Sequence, residues 1–383
     1  MENNNTESWK LPLYKIFSDE EDEKIVTNVI KRGSQWAIGP EIEEFENEIK
    51  NYVGKDYCVV LNSGTSSLHA LFLAYGLSNQ EIIVPSFSFI ATANAVLFVN
   101  GKPIFADIEE STYGLDPKSV KEKYNPSVKA IVPIDYAGLS CKIHELKDFA
   151  KENNCILIED AAEALGSTVN GSKVGSIADS SVFSFCGNKV LTTGEGGAIV
   201  TDSKEIFEKL KLIRSHGRIN DKNYFSNPSE SDYASLGYNW RMSTITAALG
   251  LSQLRKIGKM INLRKQNAKY ISERLSKHPQ IKVPTSTTNS EHIFQLYTIR
   301  LSDNVLRDKL HGFLTKKQIF SKVYFNPIHL TDFYKKIQNT ISKLPNTELV
   351  SKQVLTLPMY PNMTKEEKDY LVESIDEFFE NTK

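Results

Sequence analysis

The sequence predicts an α/β protein in which a mostly parallel, seven-stranded sheet is covered by helices on both faces and is followed by a smaller C-terminal α+β domain. Between about residues 57 and 202, short apolar runs rich in β-branched residues alternate with helical patterns, which is typical of this architecture. Seven such runs predict the strands, near residues 58–61, 82–84, 103–107, 130–134, 156–160, 182–185 and 197–201.

The rest of the chain predicts a domain boundary near residue 250. Residues 203–235 are polar and rich in turn formers, and we interpret them as a mobile loop. An amphipathic pattern from residue 243 to about residue 275 predicts one long helix that leads into the smaller domain. We therefore expect a large domain over residues 1–250 and a small domain over residues 251–383.

Composition and charge argue against several classes of function. The 46 Lys and Arg residues nearly balance the 47 Asp and Glu residues, which argues against a nucleic-acid-binding face and a polybasic membrane anchor. Polar residues interrupt the most apolar stretch, 82–99, so we expect no membrane span. The polar first residues do not resemble an export signal. Four cysteines without CxxC spacing suit a reducing cytoplasm and argue against a zinc site, so no metal is expected.

Lys189 is the first candidate for chemistry. It follows a predicted strand, in a segment (183–197) that turns through several glycines. A lysine that forms a Schiff base must be shielded from water so that its amine can lose its proton. Most lysines are instead solvated surface charges, so the assignment needs support from other residues.

Asp160 offers such support, because it ends the predicted strand 156–160. A carboxylate at that depth can bond the ring nitrogen of pyridoxal phosphate and keep it protonated. The alternative is a plain cap of the following helix. Residue type and position leave both interpretations open.

The turn at residues 62–69 (NSGTSSLH) predicts an anion site between a strand and a helix. Main-chain N–H groups at a helix start attract anions, and Gly64 allows a close approach. The hydroxyls of Thr65 and Ser66 add donors. Helix capping is the alternative, and the turn is not a P-loop because no Gly-Lys-Ser/Thr follows at the required spacing.

Two further positions are candidate contacts. Phe89 follows the strand near 82–84 and can lie flat against a cofactor ring, although an aromatic residue there can equally belong to the core. Asn239 and Arg241 precede the predicted long helix, where an amide and a guanidinium can bind phosphate or cap and flank the helix. Together the candidates supply an anion site, a ring platform, a carboxylate and an amine.

The order of these segments resembles the DegT/StrS-type sugar aminotransferases, which are pyridoxal-phosphate enzymes with the aspartate aminotransferase fold (fold type I). The resemblance runs from about residue 36 to the last predicted helix. It rests on NSGTSSLHAL, VPSFSFIATANAV, IEDAAEALGS, FSFCGNKVLTTGEGG, GYNWRMSTITAALGLSQL and LTLPMYPNMTKEE.

The resemblance implies that Lys189 is the catalytic residue, which forms the Schiff base and moves a proton between the cofactor and the sugar carbon. Asp160 is implied to bond the ring nitrogen, and Phe89 to stack on the ring. Glu163 corresponds to a position near the ring face. Residues 1–250 are then the cofactor-binding domain.

Further implied contacts concern the cofactor phosphate. Gly64, Thr65 and Ser184 are implied to hold it, with the Ser66 hydroxyl as an added donor. Asn239 is expected to reach the phosphate of a neighbouring subunit, which predicts a homodimer with active sites at the subunit interface.

The substrates implied by the resemblance are a nucleotide-linked keto sugar and an amino donor, L-glutamate. An acid at position 163 resembles the perosamine-synthase-like branch, which aminates C4 of a GDP-linked 4-keto-6-deoxy sugar for products such as O-antigen. The candidate sugar-nucleotide contacts are Trp36, His216, Arg218, Tyr324 and His329.

Three other functions stay open on the same scaffold. They are a 3-aminotransferase, a sugar-nucleotide dehydratase and a non-catalytic regulatory protein. Dehydratases of this family carry His in place of the lysine, whereas this chain has Lys189. A regulatory protein would be expected to lose Lys189 or Asp160, or to gain a DNA-binding segment.

Overall fold

The computed structural model describes residues 9–219, 232–338 and 342–381, and its strands lie close to those predicted. In chain order the strands are β1 (Tyr57–Leu61), β2 (Glu81–Pro85), β3 (Lys102–Ala106), β4 (Val128–Ile131), β5 (Ile156–Asp160), β6 (Thr168–Val169), β7 (Ser172–Lys173), β8 (Ser180–Ser184), β9 (Gly197–Thr201), β10 (Ile281–Lys282), β11 (Ser290–Glu291), β12 (Tyr297–Leu301) and β13 (Val354–Leu357).

The central sheet has seven strands in the order β1-β9-β8-β5-β4-β2-β3. The four neighbouring pairs from β8 to β3 are parallel. Strand β9 is antiparallel to both of its neighbours, β1 and β8. The predicted mostly parallel, seven-stranded sheet is therefore confirmed.

Helices connect and cover the strands. In chain order the α-helices are α1 (Glu20–Arg32), α2 (Pro40–Val53), α3 (Gly64–Ala74), α4 (Ala91–Phe98), α5 (Pro117–Lys123), α6 (Ile143–Glu152), α7 (Lys204–Arg214), α8 (Thr244–Arg255), α9 (Ile257–Leu275), α10 (Asn304–Lys316), α11 (Asp332–Ile337), α12 (Pro345–Gln353) and α13 (Lys365–Glu380). Within the described residues, none of the helices combines the length and the apolar character that a bilayer span requires.

Both faces of the sheet are buried, as β1 illustrates. Val59 and Leu61 belong to an apolar cluster with helices α3, α4 and α7, whereas Cys58 and Val60 belong to a second cluster with α2 and α8. Successive side chains of a strand point to opposite faces. The alternation therefore places a helical layer on each side of the sheet, as predicted.

The prediction of one long helix from residue 243 to residue 275 is wrong in one respect, because the structure has two helices there. Lys256 separates α8 from α9 with φ −109° and ψ 8°, outside α-helical values. Its buried ammonium binds the carboxylates of Asp19 and Asp22 at the start of α1. No proline interrupts residues 243–275, so the sequence did not reveal the break.

The prediction of a loop over residues 203–235 is wrong for the first part of this range, where α7 forms. Ser203 caps this helix by accepting the main-chain N–H of Ile206, and Ile206, Leu210 and Ile213 are buried against the sheet. Polar residues on the exposed face obscured this helical stripe in the sequence. Residues 220–231 of the predicted loop lie outside the described residues.

The smaller C-terminal part is an α+β unit around the sheet β10-β12-β13. Its core includes residues of α9, α10 and α13. Leu11, from the chain start, also belongs to this core and exchanges main-chain hydrogen bonds with Gln318 and Phe320. The boundary at residue 250 stays a prediction.

Phe45 of α2 is a central residue of the packing between helices α2 and α8. Its side chain is fully buried and lies against Gly250, where an added Cβ would be 2.5 Å from the Phe45 ring. The ring of Phe185 is 5.4 Å away, centroid to centroid. The absence of a side chain at Gly250 thus makes room for the Phe45 ring.

We expect Phe45→Ala to lower the free energy of unfolding by about 3–5 kcal/mol, because truncating a buried aromatic ring loses burial and leaves a cavity. Urea denaturation followed by circular dichroism measures the loss. Phe333→Ala is the control, since Phe333 is 53% exposed and a surface truncation changes stability by about 0.5 kcal/mol. Equal losses for the two variants would contradict this account of the packing.

Candidate active site

The candidate site lies where the carboxyl ends of three strands meet. Gly197 of β9 pairs with Leu61 at the end of β1 and with Ser184 at the end of β8. Asp160 ends β5, the other neighbour of β8. Ligand sites of α/β sheets lie at the carboxyl ends of the strands, and this edge collects most of the predicted residues.

A cavity of about 310 Å³ opens at this edge. It brings together residues from six separate segments of the sequence. The predicted site residues in its wall are Gly64, Thr65, Phe89, Asp160, Glu163, Ser184, Lys189 and Tyr324.

Asp160 presents a buried carboxylate to the cavity. Its Oδ2 accepts a hydrogen bond from the Thr92 hydroxyl at 2.7 Å, and its Oδ1 accepts the main-chain N–H of Ala162 at 3.3 Å. Burial raises the pKa of Asp160, while the Thr92 hydroxyl, the Ala162 N–H and the charge of Lys189 act in the opposite direction. A buried carboxyl group of this kind is stabilised as an anion by a cation placed beside it.

Lys189 faces the same cavity and forms an ion pair with Glu163. Its Nζ lies 3.4 Å from Glu163 Oε1, and the two side chains are only 13% and 11% exposed. The other carboxylate oxygen of Glu163 accepts the main-chain N–H of Ala137 at 2.8 Å. The amine is thus shielded from bulk water, as a lysine that forms a Schiff base must be.

The turn before α3 forms one end of the cavity. Ser63 caps the helix by accepting the main-chain N–H of Ser66, and the first N–H groups of a helix have no partner inside it. Gly64 approaches Ser184 so closely that an added Cβ would lie 3.0 Å from the Ser184 Cβ. Ser66 itself is turned inward, since its hydroxyl donates to Asn62 Oδ1 at 2.7 Å, and it does not line the cavity.

Phe89 is not a core residue. Its side chain is 61% exposed, although it follows a buried strand, and it forms part of the cavity wall. The ring of Phe325 lies 6.4 Å away, centroid to centroid. An exposed aromatic ring at the wall of a cavity is available to contact a planar ligand.

Besides Ser66 and Arg241, five predicted residues lie outside the wall of this cavity. His216 and Asn239 are exposed, and Arg218 is buried. Trp36 donates its indole N–H to the carbonyl of Val29 at 3.1 Å. His329 is fully buried, and its Nδ1 is hydrogen-bonded to the Ser86 hydroxyl.

Three groups that hold the site residues in place were not predicted from the sequence. Thr92 is the one hydroxyl residue in the otherwise apolar start of α4, a local signal that could have revealed it. The main-chain N–H of Ala137 and the side chain of Gln295, which donates to the carbonyl of Asn188 at 2.7 Å, carry no such signal. Their contacts join segments far apart in the chain.

The cavity fits the predicted cofactor, pyridoxal phosphate. The buried Asp160 carboxylate can receive a protonated ring nitrogen, and the shielded Lys189 amine can bond an aldehyde. The helix start at Gly64 and Thr65 can receive a phosphate. All three groups line the same cavity, so one small ligand can reach them together.

Comparisons with known proteins agree with this geometry. The chain is 31% identical over 345 residues to a GDP-perosamine synthase of Caulobacter vibrioides, covering 89% of this chain and 91% of that protein. It is 33% identical to a UDP-4-amino-4,6-dideoxy-N-acetyl-beta-L-altrosamine transaminase of Campylobacter jejuni, covering 90% of this chain and 91% of that protein.

Solved structures are also similar over nearly the whole chain. The aminotransferase PseC of Helicobacter pylori, involved in the biosynthesis of pseudoaminic acid, superposes with a TM-score of 0.91 at 31% identity, covering 97% and 99% of the two chains. The protein Spr1654 of Streptococcus pneumoniae in its PLP form superposes with a TM-score of 0.88 at 25% identity, covering 97% and 99% of the two chains. The predicted fold type I architecture is thereby confirmed.

The sequence model of one protein family matches residues 17–376, which is nearly the full length of the chain. Both the sequence relatives and the cavity agree with that match. The chain belongs to the DegT/DnrJ/EryC1/StrS aminotransferase family.

Proposed function

We propose that this protein transfers an amino group from an amino acid to the keto group of a nucleotide-linked sugar, with Lys189 as the catalytic residue. The observation that carries the proposal is that the buried Asp160 carboxylate and the shielded Lys189 amine line one cavity. Family membership and the likeness to a solved structure in its PLP form confirm the predicted pyridoxal-phosphate cofactor. The chain is accordingly a pyridoxal-phosphate-dependent aminotransferase.

When bound, the cofactor supplies an aldehyde that bonds amines and a cationic ring that accepts electrons. Lys189 would hold the cofactor through its Nζ, and the same amine would remove and return a proton at the substrate carbon. Asp160 would keep the ring nitrogen protonated, held in place by the Thr92 hydroxyl. Glu163, 3.4 Å from the lysine amine, would orient that amine between proton transfers.

Other residues of the cavity would bind and orient the cofactor. Main-chain N–H groups at Gly64 and Thr65, together with the Ser184 hydroxyl, suit its phosphate. Phe89 would cover a face of the ring. The Ser66 hydroxyl is already bonded to Asn62, so we propose that Ser66 supports the turn without touching the phosphate.

We further propose a homodimer whose subunits complete each other's sites. Asn239 is exposed and lies outside the cavity of its own chain, which fits a role toward the cofactor phosphate of a neighbouring subunit. The exposed apolar side chain of Leu236 (81%), three positions before Asn239, supports a covered surface near this region. Trp36, His216 and Arg218 would then reach the sugar nucleotide only in the assembled dimer.

For the substrate, we propose a GDP-linked 4-keto-6-deoxyhexose that is aminated at C4, with L-glutamate as the donor. The acid at Glu163 and the identity to a GDP-perosamine synthase support this choice. A UDP-linked keto sugar is the second candidate, because identity to the Campylobacter transaminase is similar. Of the proposed substrate contacts, Tyr324 is the one that lies in the cavity wall. We propose that the product serves O-antigen synthesis in the cytoplasm.

The other functions considered from the sequence receive less support. A dehydratase of this family would carry His where this chain has Lys189. A non-catalytic protein on the same scaffold would have no need to retain the buried Asp160 beside an intact cavity. A 3-aminotransferase differs only in how the sugar is oriented, so substrate tests must distinguish it.

Lys189→Ala is expected to abolish turnover and to remove the visible absorbance that forms when the lysine bonds the cofactor, because no other described residue places an amine in this cavity. Absorbance spectra and a transamination assay measure the two effects. Lys209→Ala is the matched control, since Lys209 is an exposed residue of α7. Near-normal activity of Lys189→Ala would refute the proposed role.

The substrate proposal predicts which sugar the amino form of the enzyme accepts. The protein is first converted with L-glutamate to its pyridoxamine form and is then mixed with GDP-, UDP- and dTDP-linked keto sugars. We expect the GDP-linked 4-keto-6-deoxyhexose to restore the visible absorbance fastest, and NMR of the product to place the amine at C4. A faster reaction with a UDP-linked sugar would favour the second candidate instead.

The proposed dimer predicts that two defective variants can complement each other. Asn239→Ala is expected to weaken cofactor binding by about 1.5–3 kcal/mol, because one hydrogen bond to the charged phosphate is lost. Mixing it with inactive Lys189→Ala should produce heterodimers in which one site has both residues intact. Activity at limiting cofactor should therefore rise on mixing, measured against each variant alone.

The same mixture distinguishes the two possible arrangements. If Asn239 acts within its own subunit, no site in a heterodimer contains both residues and activity does not rise. Carrying different affinity tags on the two variants and purifying the mixture through both tags in turn confirms that subunits have exchanged.

A further inference from the structure

We propose that Gln295, in the C-terminal part of the chain, is a positioning residue that holds the Lys189 segment at the cavity. The proposal rests on the role proposed above for Lys189 and adds a partner to it. The Gln295 Nε2 donates to the main-chain carbonyl of Asn188 at 2.7 Å. The peptide group directly before Lys189 is therefore fixed by a side chain 107 positions away.

The segment around Gln295 also supports the other member of the Lys189–Glu163 pair. The main-chain N–H of Leu296 donates to the carbonyl of Ala137 at 3.2 Å. The N–H of Ala137 in turn donates to Glu163 Oε2 at 2.8 Å. One short segment thus holds the backbone that precedes the amine and the backbone that orients its carboxylate partner.

This segment is itself held from behind by a buried cation. The guanidinium of Arg264 donates to the carbonyls of Phe294 at 3.0 Å and Gln295 at 3.3 Å, and to that of Met359 at 3.2 Å. Burial lowers the pKa of Arg264 to about 10, which leaves it charged at neutral pH. The segment is therefore anchored to the C-terminal core rather than free to follow the Lys189 loop.

The contact with the central domain is also close. A Cβ added to Gly138 would lie 2.6 Å from Ile293 Cγ1 and 3.1 Å from the main-chain nitrogen of Gln295. Gln295 itself is only 3% exposed. Because there is little free space, the hydrogen bond to Asn188 has a defined geometry.

The peptide group held by Gln295 directly precedes Lys189, so loss of this hydrogen bond would affect the position of the amine. Without a donor at residue 295, the Asn188 carbonyl loses its partner and the peptide can rotate toward other partners. Lys189 is the next residue, so its amine would sample positions away from the cofactor. A displacement of about 1 Å at a reacting group can slow a reaction by about 100-fold.

We test this with Gln295→Leu and Gln295→Met, which keep similar volume and remove the donor. We expect kcat to fall by about 10- to 100-fold, while KM for both substrates stays within about twofold because the binding residues are unchanged. The second readout does not require turnover. Full-length protein stripped of cofactor is mixed with pyridoxal phosphate, and the growth of visible absorbance should slow by about tenfold or more.

Asn267→Leu is the matched control. Asn267 is also a buried amide of the C-terminal part, and its Nδ2 donates to the carbonyls of Tyr360 at 2.9 Å and Pro361 at 3.1 Å, away from the cavity. Its loss should lower the melting temperature while leaving kcat and the rate of cofactor capture unchanged.

The outcomes separate this inference from the proposed function. If either Gln295 variant folds and keeps kcat and the capture rate within about twofold of the unsubstituted protein, the positioning role is overturned. Equal kinetic losses in Asn267→Leu would overturn it as well, because they would indicate general loosening. If the unsubstituted protein captures no cofactor, the proposed function itself fails.

Discussion

The site depends on one carboxylate that the fold keeps out of water. Moving a charge from water into a protein interior is costly unless partners compensate. Asp160 accepts hydrogen bonds from the Thr92 hydroxyl and one main-chain N–H, and the charge of Lys189 also acts on it. Burial accordingly raises the pKa of its carboxyl group. A cationic ring nitrogen placed against it would supply the missing charge, so binding of the cofactor and stabilisation of this residue are coupled.

The sheet topology explains how this carboxylate comes to face an amine. Strand β8 lies between β5 and β9, so the end of β5, the end of β8 and the turn after β1 meet at one edge. The chain leaves β8 at Ser184 and returns through Gly197, and Lys189 lies in the loop between them. The amine, the carboxylate and the helix start at Gly64 therefore share one cavity without any long connection crossing it.

The residues proposed to contact the cofactor and those proposed to contact the substrate come from different parts of the chain. The groups suited to the cofactor belong to the strand ends of the central sheet and to the segments that follow them. Tyr324 and Phe325, in contrast, enter the cavity wall from the C-terminal part of the chain, and Trp36, His216 and Asn239 lie outside this wall. Side chains that vary outside the sheet can thus change the accepted sugar while the chemistry stays the same.

Local patterns in the sequence determined the strand positions, the turn at Gly64 and the placement of Asp160 and Lys189 beyond strand ends, because apolar periodicity and turn chemistry act within a few residues. The break at Lys256, whose ammonium pairs with carboxylates at the start of α1, was not predicted, because no proline marks it in the sequence. Helix α7 was not predicted because polar residues dominate its composition. Only the tertiary structure revealed the bond from Thr92 to Asp160 and the bond from Gln295 to the Asn188 carbonyl. These contacts join residues far apart in the chain, and their formation depends on how helices and domains pack, which no local pattern encodes.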